Sequence, residues 1–84
     1  MKAFAVTSLK THGPTCISLY GAKNASEAKA DAHNVLRELG YKSKDIWGGL
    51  RAKRAPEFDV VADHLHGQAP ETAEHYLKAK QEAQ

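Results

Sequence analysis

The chain has 84 residues, a formal net charge of +2, 42% hydrophobic residues and one cysteine. That length fits a single domain spanning residues 1–84 with one modest core; the lone Cys16 excludes an intrachain disulfide framework. No stretch approaches the ~20 apolar residues that span a bilayer, and the Ala3–Val6 run is too short for a signal-peptide core, so a cytoplasmic protein with no membrane association is expected.

The charge is unevenly spread. Residues 1–54 hold ten Lys and Arg against four Asp and Glu, whereas residues 55–84 hold two against six. This describes a basic body with an acidic C-terminal part, which either stays apart or folds back and neutralises the body.

In chain order, "KAFAVTSL" from Lys2 combines alternation with β-branched and aromatic residues and predicts a strand. Gly13-Pro14 signals a turn. "TCISLYG" reads as a second strand, and the two should pair as an antiparallel hairpin with Phe4, Val6, Ile17 and Leu19 toward one core face. "NASEAKADAHNVLRELG" predicts the long helix: Asn24 with Glu27 three residues on makes a capping box, and Gly40 a left-handed stop. Ala28, Ala32, Val35, Leu36 and Leu39 form its apolar stripe. Lys29, His33 and Arg37, four apart, form a ridge along one flank.

"YKSKDIWGGLRAKR" is expected to hold a short helix capped by Ser43, with Ile46, Trp47 and Leu50 as one apolar patch and Trp47 closing the core. Gly48-Gly49 either breaks that turn or lets another backbone or a ligand come close. Arg51–Arg54 precedes Pro56 and is extended; it can add to the hairpin as a third, edge strand, with Arg51 and Lys53 on one face and Ala52 and Arg54 on the other. "PEFDVVADHLHG" has apolar residues at i, i+3, i+4 and i+7 and predicts a helix ended by Gly67. Residues 68–84 form a last, thin-striped helix, loosely docked or completed by a partner, including a second copy of the chain. The fold class expected is thus α+β: an antiparallel β-hairpin, a long amphipathic helix, a third edge strand and C-terminal helices.

Chemistry-bearing groups are few. His64 and His66 are two apart and diverge on a helix; His75 and Glu71 have ligand spacing but make only two donors. Cys16 sits mid-strand, where a thiol packs as a small hydrophobe; His12 and His33 are its only candidate bases. No nucleophile elbow or phosphate-cradling glycine loop is present. A non-enzymatic protein without cofactor or metal is expected. The strongest signal is cationic: Lys42, Lys44, Arg51, Lys53 and Arg54 lie around Trp47, with Lys29, His33 and Arg37 as an extension. Cations beside aromatics suit phosphate contact with base stacking, or an acidic protein surface with Trp and Arg anchors.

The helix start "ASEAKADAH" after a hairpin, followed by "IWGGLRAKRAPEFD", resembles a pattern of small proteins encoded by bacteriophages. The resemblance covers Met1 to Asp59. It implies an accessory or host-interaction protein, a class that includes inhibitors of bacterial defence systems, and carries no functional residue with it. Binding to a host protein complex through the basic surface is therefore the expected function, and direct nucleic-acid binding by Trp47, Arg51, Lys53 and Arg54 the alternative.

Overall fold

The computed structural model describes residues 1–8 and 13–82, and all of their side chains except those of residues 13–16. Strand β1 (Lys2–Ser8) pairs antiparallel with β2 (Gly13–Ala22), from Lys2 opposite Ala22 to Thr7 opposite Ile17, with an irregularity between Thr7 and Ser8. Gly13 and Pro14 thus belong to β2 rather than to the turn, at the strand start where proline is tolerated. Helices α1 (Ala25–Glu38) and α2 (Ser43–Gly49) lead to β3 (Leu50–Arg54), which pairs with the other side of β1. A 3₁₀ helix (Pro56–His64), a short β4 (His66–Gln68) and α3 (Pro70–Glu82) complete the chain. The strand order is β3-β1-β2-β4, every neighbour antiparallel. The α+β class is as expected, with β3 at an edge. No helix among the described residues is long and apolar enough to cross a membrane.

Each face of the sheet carries its own core. Phe4, Val6, Tyr20 and Ala22 pack with Ala28, Ala32 and Leu36 of α1, Ile46 of α2 and Leu50. Ala3 and Leu19 point the other way and pack with Ala55, Phe58, Val61 and Ala62 of the 3₁₀ segment, Leu65, and Ala73 of α3. Side chains alternate across a strand, so pairing Phe4 with Tyr20 and Ala5 with Leu19 puts Ile17 and Leu19 on the face opposite Phe4 and Val6. The expectation of one shared face is corrected by that register. Leu19, Ile46 and Val61 are fully buried, each contributing about 1.5–3 kcal/mol of apolar transfer.

Local chemistry sets α1. Asn24 Oδ1 accepts from the Glu27 N–H at 2.9 Å. At the other end Tyr41 N–H donates to the Leu36 carbonyl (3.1 Å) and Gly40 N–H to that of Arg37 (3.0 Å), a Schellman ending with Gly40 at φ +100°. Alanines at 28 and 32 let the helix lie close on the sheet.

Two elements differ from expectation. The segment from Pro56 is a 3₁₀ helix, not an α-helix: Ala55, Phe58 and Val61, three apart, stack in one buried row, the period at which 3₁₀ side chains eclipse. Gly67 does not end it. It lies in β4 at φ +87°, where an added Cβ would sit 3.1 Å from the Tyr20 hydroxyl. The last helix is packed through Ala73, which is fully buried, and Lys80 Nζ donates to the Val60 carbonyl at 2.8 Å.

Candidate functional site

The short α2 starts after Lys42, which is extended and makes no side-chain cap; Ser43 does not cap it. Ser43 Oγ instead lies 2.6 Å from His33 Nε2 on α1. The imidazole so held lies under the indole of Trp47, ring centroids 4.7 Å apart and planes 17° off parallel. Trp47 is 48% exposed while Ile46 is fully buried. The expected role of Trp47 as a core lid is therefore corrected: Ile46 fills the core, and Trp47 lies on the surface with one ring face against His33.

The expected cationic cluster divides among three places. Arg54 forms a two-pronged pair with Asp59, both bonds 2.8 Å, and also donates to the Ala3 carbonyl at 3.0 Å. Its guanidinium Cζ stands 5.5 Å from the Phe4 ring centroid. Asp59 Oδ1 in turn accepts the Ala3 N–H at 2.8 Å. Arg54 thus ties β1, β3 and the 3₁₀ helix together and is committed within the fold. The Arg54 guanidinium, and after it the Ala3 N–H, hold the Asp59 carboxyl well below the usual carboxylate range.

Arg51 and Lys53 are exposed, opposite Thr7 and Ala5, on the sheet face away from α1 and α2. Arg51 Nη1 donates to the Leu50 carbonyl at 3.0 Å. Lys42 and Lys44 are exposed on the α2 side. Lys29 and Arg37 lie one turn before and after His33 on α1, and Arg37 Nη1 donates to the Tyr41 carbonyl at 3.0 Å. The structure thus joins Trp47 to the His33 ridge and places Arg51 and Lys53 on the opposite face.

The helical layer is balanced. Residues 25–49 hold Lys29, Arg37, Lys42 and Lys44 against Glu27, Asp31, Glu38 and Asp45. Residues 1–24 and 50–55 carry six cations and no carboxylate, and residues 56–84 carry the excess acid.

Two of the other histidines have aromatic neighbours. His64 lies 5.7 Å from Tyr76 and His66 edge-on 5.5 Å from Tyr20. Burial, with the charge of Asp31 second, pushes the Tyr20 phenol above its ordinary value. Among the described residues no three His, Cys, Asp or Glu approach closely enough to hold a metal ion. His12 and the Cys16 side chain lie outside the described residues.

Sequence reasoning missed the half-open face of the sheet. Ala5, Ile17 and Leu19 floor a hollow of about 310 Å³ walled by Ala55, Glu57, Phe58, Pro70 and Glu74. Its signal was the β1 alternation, which puts small Ala3, Ala5 and Thr7 on one side. Compared with protein-family models, curated proteins and solved structures, the chain matches none.

Proposed function

We propose that this chain is a small non-enzymatic binding protein of the accessory, host-interaction type that its segment order resembles, and that Trp47 on His33 is the centre of the surface it presents to a host protein complex. The observation that carries this is the half-exposed Trp47 ring, held in one orientation by a stacked imidazole that is itself tied to Ser43. An exposed, oriented indole among mixed charges matches the anchors of protein interfaces, where Trp and Arg dominate the energetics. Lys29, Arg37, Lys42 and Lys44 around it are balanced by as many acids, which favours a patterned protein surface over a phosphate backbone.

Direct nucleic-acid binding is the second proposal, favoured by one observation: exposed Arg51 and Lys53 on strands that carry no carboxylate. Two experiments separate the two. Affinity capture from a bacterial lysate with the wild type and Trp47→Ala is expected to retain a partner only with the former. Trp47→Ala should cost about 1 kcal/mol of stability, mostly the lost ring stack, so the variant stays folded. The single indole also reports contact by its emission. If instead DNA or RNA binds with an affinity that Arg51→Ala/Lys53→Ala lowers and that falls about one order of magnitude between ~50 and ~200 mM salt, as two phosphate contacts require, nucleic-acid recognition displaces the protein partner.

A further inference from the structure

Beyond β3 the sheet has no further strand among the described residues. The phase of this open edge follows from one bond: Ala55 N–H donates to the Ala3 carbonyl at 2.9 Å. Pairs that exchange hydrogen bonds alternate along an antiparallel ladder, so Lys53 and Arg51 bond to Ala5 and Thr7, their partners in register. The N–H and C=O of Ala52 and Arg54 therefore turn outward, away from β1. The Leu50 carbonyl turns outward too and is already held by the Arg51 guanidinium at 3.0 Å. The opposite edge offers no such row: β4 is three residues long, with Gly67 at φ +87° in its middle.

The side chains along β3 decide what this edge accepts. Arg51 and Lys53 are exposed on one face, and neither is ion-paired with a described residue. On the other face Ala52 packs against the α1-side core, beside buried Leu50. A strand laid against Ala52 thus meets Arg51 and Lys53 on one face and an apolar surface on the other. Opposite charges across a strand pair are stabilising, and like charges are not. A second copy pairing through β3 would set these cations against one another, so the charges that keep copies apart select an acidic strand. Phosphates would match the cations but not the edge, because they only accept hydrogen bonds and leave the outward carbonyls without a donor. We infer that the outer edge of β3 docks an extended acidic segment of a partner protein as an added strand, its carboxylates two residues apart against Arg51 and Lys53. The segment runs antiparallel to β3, the sense of every other pairing in the sheet. This inference does not rest on the Trp47 platform.

The test is a nuclear magnetic resonance titration of the isotope-labelled full chain with a short, end-blocked peptide of alternating glutamate and valine. The Ala52 and Arg54 amide signals should move downfield as they gain acceptors. A peptide with lysine in place of glutamate should bind about tenfold or more weakly, because like charges then face each other. Valine opposite Ala52 turns its N–H toward β3 and the flanking glutamates turn theirs away. Methylating the valine nitrogens should therefore abolish binding, and methylating the glutamate nitrogens should spare it. Arg51→Glu/Lys53→Glu should lose the glutamate peptide and take up the lysine one, and that exchange distinguishes a reversed contact from a misfolded chain. Ala52 and Arg54 signals that stay in place at millimolar peptide overturn the proposal. So do equal binding of the two methylated peptides, which would leave charge alone as the cause, and a double variant that binds the glutamate peptide as before. Single-stranded DNA that moves the Arg51 and Lys53 signals where the peptide moves none would give this edge to nucleic acid instead.

Discussion

Gly21 is the residue on which the second layer rests. A Cβ there would lie 2.0 Å from the Ala62 carbonyl oxygen, a backbone atom that cannot swing aside. The 3₁₀ helix therefore lies on the bare backbone of β2, and Gly21 N–H also donates to the Leu65 carbonyl at 3.0 Å. Gly21→Ala is expected to cost on the order of 3 kcal/mol or more, seen as a large fall in melting temperature. Gly40 is the useful contrast. Its Cβ would meet nothing, so Gly40→Ala pays only for the left-handed backbone, about 1–2 kcal/mol. If the two substitutions cost the same, the close approach at Gly21 is not what limits it. At the candidate site, the types of residue are legible in the sequence and their directions are only partly so. The alternation of Arg51, Lys53 and Arg54 follows from strand geometry. Which face α2 would cover does not, and that alone decides whether Trp47 joins the β3 cations or stands away from them.

At the scale of elements, short-range chemistry carried the farthest. The Asn24 cap and the Gly40 stop bound α1 because both act within a few residues. The hairpin is equally local, but the face that Ile17 shows depends on register: opposite Thr7 it shares the Ala5 face, and a one-residue slip would reverse it. β4 was hidden because three residues carry no pattern; it exists only where the end of the 3₁₀ helix brings His66–Gln68 beside β2. The spacing of Phe58, Val61, Ala62 and Leu65 is that of an α-helical stripe, whereas the buried row that forms is Ala55, Phe58 and Val61, three apart, the period of the tighter helix. Strand β3 makes its own prediction. Ala55 N–H donates to the Ala3 carbonyl at 2.9 Å, so in an antiparallel ladder odd residues of this segment bond to β1 and even ones face outward. Ala52→Pro removes an outward N–H, whereas Lys53→Pro removes one bonded to β1. Thermal unfolding should show Lys53→Pro as clearly the more damaging; equal losses would argue against this phase of the ladder.

Across the whole molecule, charge is layered. The cationic strands lie between a balanced layer of α1 and α2 and an acidic layer of the 3₁₀ helix and α3. The C-terminal acid folds back on the body, and the pair Arg54–Asp59 is where the two meet. Because the folded-state pKa of Asp59 is depressed, the stability it contributes is present above its ordinary value near 4. It is lost as pH falls from there through the lower folded-state value. Asp59→Asn should therefore lower the melting temperature at pH 7, and the gap from wild type should shrink as both are titrated below about pH 4. A gap that stays constant with pH would mean that the carboxylate charge has no part in the joint. The same joint bears on how the chain is made. β1 is synthesised before both of its neighbours yet lies between them, and its second neighbour and the Asp59 cap on Ala3 arrive some fifty residues later. On the ribosome, the nascent hairpin must therefore wait with one flank of β1 open, and that interval, ending only when Arg54 and Asp59 emerge, is when the unfinished chain is most prone to join another.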